Sequence, residues 1–397
     1  MKIAYVEWGA FGSEDMRNAF IAEEHDVVLF LFSAVYEKRD HDVETERRLQ
    51  TLLRKETPDA VFSLNYFPVI SRVCQQEDIC YISWTYDCPC YLLYSTTILA
   101  PCNVIYIFDK ALYQEFHHAG ISTVHYMPLA ADTQRLDRID EKWADDLEEG
   151  HPFTYDISFV GSLYIEKYDY FSKIEPHLSD YAKGYLDALI SAQLKIQGYN
   201  FVQELLAPVV GELYRICPVD PEPDGMETRE YFYEQYVVNR RITAIERIDL
   251  LEACAQYRPL DLFTRAKELT MPNIRNHGEV DYYKEMPLVF KQSRINLNIS
   301  LRGIKSGIPL RAYDIMGAGG FLLSNFQADF LDGFVPGEDF VYYDSKEDLL
   351  QKVAYYLDHE EERKAIAKNG HDKVAAGHTY RHRVREMLDL GCRRGSV

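Results

Sequence analysis

The chain has 397 residues, 47% of them hydrophobic and 27% charged, with a formal net charge of -20. This is ordinary globular composition, so global disorder is excluded, and the length suits two or three domains. Binding to nucleic acid or to an anionic membrane as a general activity is excluded too, because either needs a cationic face. A small anionic ligand, which needs only a local basic site, is not.

The apolar segment at the start of the chain is too short for a signal peptide, and no stretch approaches the roughly 18 apolar residues that span a bilayer. The eight cysteines lack the paired spacing of a zinc site. Cys88 and Cys90, in a Cys-Pro-Cys stretch, read as plain reduced thiols. A cytoplasmic protein is expected.

In chain order, Lys2–Glu7, Val27–Phe32, Ala60–Leu64, Cys80–Trp84 and Val104–Phe108 are short apolar runs rich in β-branched and aromatic residues, which predicts buried strands. Helical spacing separates them at Glu14–Glu24, Asp42–Lys55, Phe67–Gln76 and Ala111–Ala119. Such alternation implies a parallel sheet covered by helices on both faces. Ligands of such sheets sit beyond the carboxyl ends of the strands. Residues 1–131 form this first domain. An acidic stretch, 132–154, reads as a linker.

A second alternating unit spans 155–378. It begins with a strand at Ile157–Val160 that ends in Gly161, and an aromatic-rich helical insertion at about 164–241 interrupts it. The insertion's rings either receive an acceptor or partner, or pack its own core. Strands follow at Leu260–Phe263, Ile295–Ile299, Phe321–Ser324 and Phe340–Tyr342, with a helix near Tyr282–Gln292. Ser345 opens a capping-box pattern and a helix to about Leu357. Residues 379–397 form a last helix that packs back on the first domain. The fold class is α/β: two Rossmann-like domains facing a cleft, with a helical insertion in the second half.

No acidic residue lies between Glu285 and Asp314, a window that holds Lys291, Arg294, Arg302, Lys305 and Arg311. In so acidic a chain an anion is least repelled there. The loop from Ser300 to Arg311 joins a strand to a helix, with Gly303 and Gly307 for freedom and Pro309 suited to the helix start. It reads as a phosphate cradle of backbone N–H groups, arginine and lysine, or as a basic surface loop. Asp314, less than two turns into that helix, either accepts the hydroxyls of a ribose or complements the helix dipole.

The stretch Ile295–Asn325, followed by the residues from Phe334 onward, resembles the C-terminal domain of spore-maturation-type (CgeB-like) glycosyltransferases, which belong with the group-1 glycosyltransferases of GT-B fold. The resemblance spans about Asn276–Leu388 and implies transfer of a sugar from a nucleotide-diphosphate sugar, a UDP-sugar, to a protein or glycan acceptor. The family pattern falls on Gly307, Ile308, Pro309, Asp314 and Gly317–Gly320. Together with the basic window and the strand that ends in Gly161, this places the expected nucleotide-sugar contacts at Gly161, Arg302, Lys305, Gly307, Arg311, Asp314, Gly317, Gly319 and Gly320. In relatives the acid is usually glutamate; here it is aspartate, and an earlier glutamate that touches the donor sugar has no counterpart. Gly317, Gly319 and Gly320 either let the backbone approach the nucleotide or serve a tight helix-to-strand turn.

In the first domain, Gly9 and Gly12 follow the first strand, where a phosphate or acceptor can approach. Asp87, after the fourth strand, is either a base for an acceptor hydroxyl or a turn-forming residue. His117 and His118 fall on a helix surface. No DxD motif of the metal-dependent type stands between strands, so metal-independent transfer without a cofactor is expected. A nucleotide-sugar epimerase or phosphorylase, or a glycan- or partner-binding protein without turnover, are the alternatives.

Overall fold

The computed structural model describes residues 1–33, 40–139, 153–166, 169–219, 224–226 and 228–391. They fall into two compact units. Unit 1 comprises Met1–Ala130, Asp220–Thr228 and His378–Val397; unit 2 comprises Ala131–Val219 and Arg229–Gly377.

Unit 1 is built on β1 (Lys2–Glu7), β2 (Asp26–Leu31), β3 (Ala60–Leu64), β4 (Cys80–Thr85), β5 (Asn103–Ile107) and β6 (Val124–Tyr126). They form one sheet in the order β2-β1-β3-β4-β5-β6 with every pair parallel. Two of the inner strands, β3 and β5, are buried along their whole length. Burial on both faces explains why they read as unbroken apolar runs. β2, at one edge, leaves Leu29 and Leu31 exposed. β6, the other edge, has three residues and gave no signal in the sequence.

Two distant segments complete unit 1. The helix Tyr380–Gly391 sits on it: Tyr106 Oη donates to Met387 O (3.2 Å), Arg383 Nε donates to Pro128 O (2.8 Å), and Arg381 and Arg385 share Glu23. Residues 224–226 add a short antiparallel contact, with Thr96 N donating to Asp224 O (2.9 Å), Met226 N to Tyr94 O (2.6 Å), and Arg72 paired with Asp224. Sequence spacing placed this stretch inside the helical insertion. Its proline-rich composition hid pairing to strand-free backbone that lies far away in the chain.

Unit 2 carries β7 (Tyr155–Val160), β8 (Leu260–Phe263), β9 (Ile274–Asn276), β10 (Ser293–Asn298), β11 (Leu322–Asn325) and β12 (Val341–Tyr343). Their order is β12-β11-β10-β7-β8-β9, again all parallel. Counted from its own first strand this is the 3-2-1-4-5-6 order of the Rossmann fold. The chain therefore winds one way from β7 to β9 and the other way from β10 to β12. β7 and β10 are the neighbours at which the winding reverses.

The expected linker contains a short helix, Thr133–Arg138, capped by Asp132, whose carboxylate accepts from Arg135 N (3.1 Å). Residues 140–152 of that stretch lie outside the described residues. The insertion's helices, chiefly Asp180–Leu194, Ala207–Ile216 and the start of Asn239–Ala255, enclose a hydrophobic cluster of their own that includes Phe171, Leu186, Leu213 and Tyr233. Many of its aromatic residues thus pack its own core. The helix Lys346–Asp358 starts as expected, with Ser345 Oγ accepting from Asp348 N (3.1 Å).

Candidate functional site

In a sheet of this order the ligand crevice lies beyond the carboxyl ends of the strands where winding reverses. For unit 2 these are the ends of β7 and β10. The loop after β7, residues 161–166, is closed on itself. Glu166 accepts from Leu163 N (2.9 Å) and Ser162 Oγ (2.8 Å), and Tyr164 N donates to Ser162 Oγ (3.0 Å). Within this turn Tyr164 adopts φ +59°, a left-handed conformation unfavourable for a bulky side chain. Gly161 N donates to Phe263 O (3.0 Å), and an added Cβ would meet the Phe159 ring at 3.3 Å.

The loop after β10 is fastened by Ser300 N donating to Asn325 Oδ1 (2.8 Å). The two loops are joined by Arg247, which the sequence did not single out. Its Nε donates to Ile299 O (3.0 Å) after β10 and its Nη1 donates to Ser162 O after β7. Burial pushes this guanidinium below its ordinary pKa.

The basic residues of the acid-free window separate into different roles. Arg302 is not available to a diphosphate as expected. It forms a two-pronged ion pair with Glu246 (2.8 and 2.7 Å), and each side chain is only 11% exposed. Its Nη1 also donates to Ile196 O (3.0 Å). The helix Asn239–Ala255 supplies Glu246, and sequence distance concealed it. Lys305 is exposed on the loop, and Gly307 is buried. Arg311, in the first turn of the helix Leu310–Gly317, has its guanidinium carbon 5.7 Å from the centre of the Phe290 ring. Its buried Nε and Nη1 meet no hydrogen-bond acceptor among the described residues. Burial pushes it below its ordinary pKa, while Asp314 pulls the other way. Unfilled, buried cationic donors are costly unless an anion meets them.

Asp314 is the fifth residue of this helix, is 3% exposed and accepts from Tyr282 Oη (3.1 Å). A dipole effect fades beyond the first turn, so complementing the helix start does not explain it. Two of the glycines that follow are required by packing. A Cβ on Gly317 would lie 2.7 Å from Ala131 Cβ, and one on Gly320 would lie 2.8 Å from Asn296 Nδ2 and 2.9 Å from Phe290 O. Gly319 turns the chain at φ +76°. The helix-to-strand turn accounts for Gly319 and Gly320, and packing against Ala131 accounts for Gly317.

In unit 1 the winding reverses between β1 and β3. Gly9 and Gly12 both have positive φ, Gly12 as the residue before the helix Ser13–Ala22; Gly9 N donates to Glu7 Oε1 (2.9 Å). Asp87, exposed beyond β4, is held by Asn65 at the end of β3. Asn65 Nδ2 donates to Asp87 Oδ2 (2.7 Å), and Asn65 Oδ1 accepts from Tyr86 N and Asp87 N (both 3.1 Å). Trp8 donates to Leu64 O (2.7 Å) and stacks on Tyr86. Cys88 is half-buried and Cys90 buried, and His117 and His118 are exposed. Among the described residues no group of three or more His, Cys, Asp or Glu side chains is placed to hold a metal ion.

Residues 241–389, which include β8 through β12 and the Arg311 helix, match a family model described as glycosyl transferase-like. No curated protein matches the chain in sequence. Among solved structures, sucrose-phosphate synthase from Thermosynechococcus elongatus superposes with a TM-score of 0.53 at 11% identity, covering 100% of this chain and 99% of that one. Anabaena Alr3699/HepE, solved in complex with UDP-glucose, gives 0.52 at 10% identity over 98% and 99%. A glycosyltransferase from Rickettsia africae gives 0.50 at 9% over 98% and 97%. The chain therefore has the GT-B fold, and its residues 241–389 are similar to a glycosyl transferase-like domain.

Two outcomes follow from the packing. Arg302→Met leaves Glu246 uncompensated in a mostly buried position, so it should destabilise the protein by about 3–5 kcal/mol in denaturant unfolding. At a temperature where the variant is folded, nucleotide affinity should stay at the wild-type level. Gly320→Ala should cost about 1–3 kcal/mol by overpacking, again read from the unfolding midpoint.

Proposed function

We propose that the chain is a glycosyltransferase that moves a sugar from a nucleotide-diphosphate sugar, a UDP-sugar, to a hydroxyl of a protein or glycan acceptor, without a metal. The observation that carries this reading is the buried Nε and Nη1 of Arg311, which meet no acceptor among the described residues, on the helix that follows the winding-reversal strand β10, less than one turn before Asp314. The family match over residues 241–389 supports sugar transfer. The UDP-glucose bound in the Anabaena relative supports the choice of base. The same domain favours the CgeB-like subtype that its sequence resembles. No helix among the described residues is long and apolar enough to cross a membrane, and we place the protein in the cytoplasm.

In this reading the donor's bond from the anomeric carbon to phosphate breaks as the acceptor oxygen attacks, and the electron pair leaves with the nucleoside diphosphate. Arg311, Lys305 and the N–H groups at the start of the helix Leu310–Gly317 stabilise that developing charge. Asp314 accepts the ribose hydroxyls. Asp87, steadied by Asn65, takes the proton of the acceptor hydroxyl.

The wild-type chain incubated with a panel of nucleotide sugars and glycan acceptors should release the free nucleoside diphosphate. Isomerised sugar with no release indicates an epimerase, and binding without either product indicates a protein without turnover. Asp314→Asn should weaken UDP binding about tenfold by calorimetry, because an amide offers one acceptor oxygen to a diol where a carboxylate offers two. The 2′,3′-dideoxy analogue should bind wild type and variant alike. Unchanged UDP affinity in the variant removes the ribose contact.

A further inference from the structure

The helical insertion matches no recognised pattern, yet it reaches the loops that border the crevice of unit 2. Arg302 N donates to Thr243 Oγ1 (3.0 Å) of the helix Asn239–Ala255, and Asn200 Nδ2 donates to both Asn239 Oδ1 (2.9 Å) and Arg302 O (3.2 Å). The insertion is thus braced directly against the loop after β10. The helix Asn239–Ala255 follows a wide π-helical turn, Glu234–Val238, a distortion that recurs at functional sites.

Arg240 and Arg247, two turns apart on this helix, lie 5.9 and 5.0 Å from the centre of the Tyr164 ring, in the left-handed loop after β7. Tyr236 takes the Arg240 guanidinium 5.0 Å from its own ring centre. Arg247 spends its nitrogens on the carbonyls of Ser162 and Ile299. Arg240 does not: its buried Nε meets no hydrogen-bond acceptor among the described residues, just as Nε and Nη1 of Arg311 do not. Arg311 is itself within electrostatic reach of Tyr164 and Arg247. In a chain of net charge -20, two arginines thus have buried, unfilled donors, one against the Tyr164 ring and the other within electrostatic reach of it. Aromatic faces hold a guanidinium in place without neutralising it, so its N–H groups stay free to meet an anion.

We propose that Arg240 is a donor-binding residue: the insertion delivers it to an anionic oxygen of the nucleotide sugar, either on the diphosphate or on a carboxylate of the transferred sugar. This rests on the donor-binding reading above. It makes the insertion part of the donor site, with Tyr164 as the residue that positions the guanidinium.

The test is calorimetric titration of wild type, Arg240→Met and Arg240→Gln with UDP and with UDP-glucuronate. A loss of about tenfold or more toward UDP assigns the contact to the diphosphate. A loss confined to UDP-glucuronate assigns it to the sugar carboxylate. Wild-type affinity of a variant for both ligands overturns the proposal. Arg240→Gln keeps a polar stem and N–H donors without the charge, and it carries the same test if the methionine variant does not fold. Wild type that binds neither ligand overturns the donor-binding reading itself, an outcome separate from the failure of Arg240 alone.

Discussion

A buried arginine joins the two loops that flank the winding reversal of the second unit. Arg247 donates to one carbonyl after β7 and another after β10, between the rings of Phe159 and Tyr164. Taking a guanidinium out of water is expensive, and carbonyl dipoles and π faces return only part of that cost. What the arrangement gives is geometry. The loops that flank the winding reversal cannot move apart without stripping a buried cation of its acceptors.

Most of the fold was legible because parallel strands buried on both faces announce themselves. β1, β3 and β8 have the bounds that their apolar runs predict, and the other long strands differ by one or two residues. β6 and β9 were not legible. Each has three residues at a sheet edge, and Ile274–Asn276 has an exposed arginine at its centre, so no apolar run marks it. Pairing with β8 makes it a strand, and pairing is not written in local sequence.

The site was legible in outline and not in its assignments. Charge scarcity pointed to the loop after β10, but sequence counts charges without their partners. Arg294 faces Asp156 at 3.4 Å, and Arg302 is bound to Glu246, 56 residues earlier. Arg311 is left as the window's buried cation with unfilled donors. The glycines illustrate the same limit from the other side. A run of glycines after a helix signals close approach, but Ala131, Asn296 and Phe290 are what approach, and none is nearby in the chain.

Arg247, Asn65 and Tyr164 escaped notice because their significance lies in backbone contacts. Nothing in a helix sequence tells an arginine that salts a surface from one that ties two loops, and nothing local marks Asn65 as the clamp on Asp87. Both act at the carboxyl edge of a parallel sheet, beside the strands where its winding reverses. At that edge the backbone leaves the sheet with its hydrogen-bonding groups unpaired, and side chains from distant segments must satisfy them. The same loose ends that require such clamps are what a phosphate or a hydroxyl can bind. Each unit therefore carries its long-range polar clamps at the edge where its ligand is expected, and the clamps fix the few groups left over for chemistry.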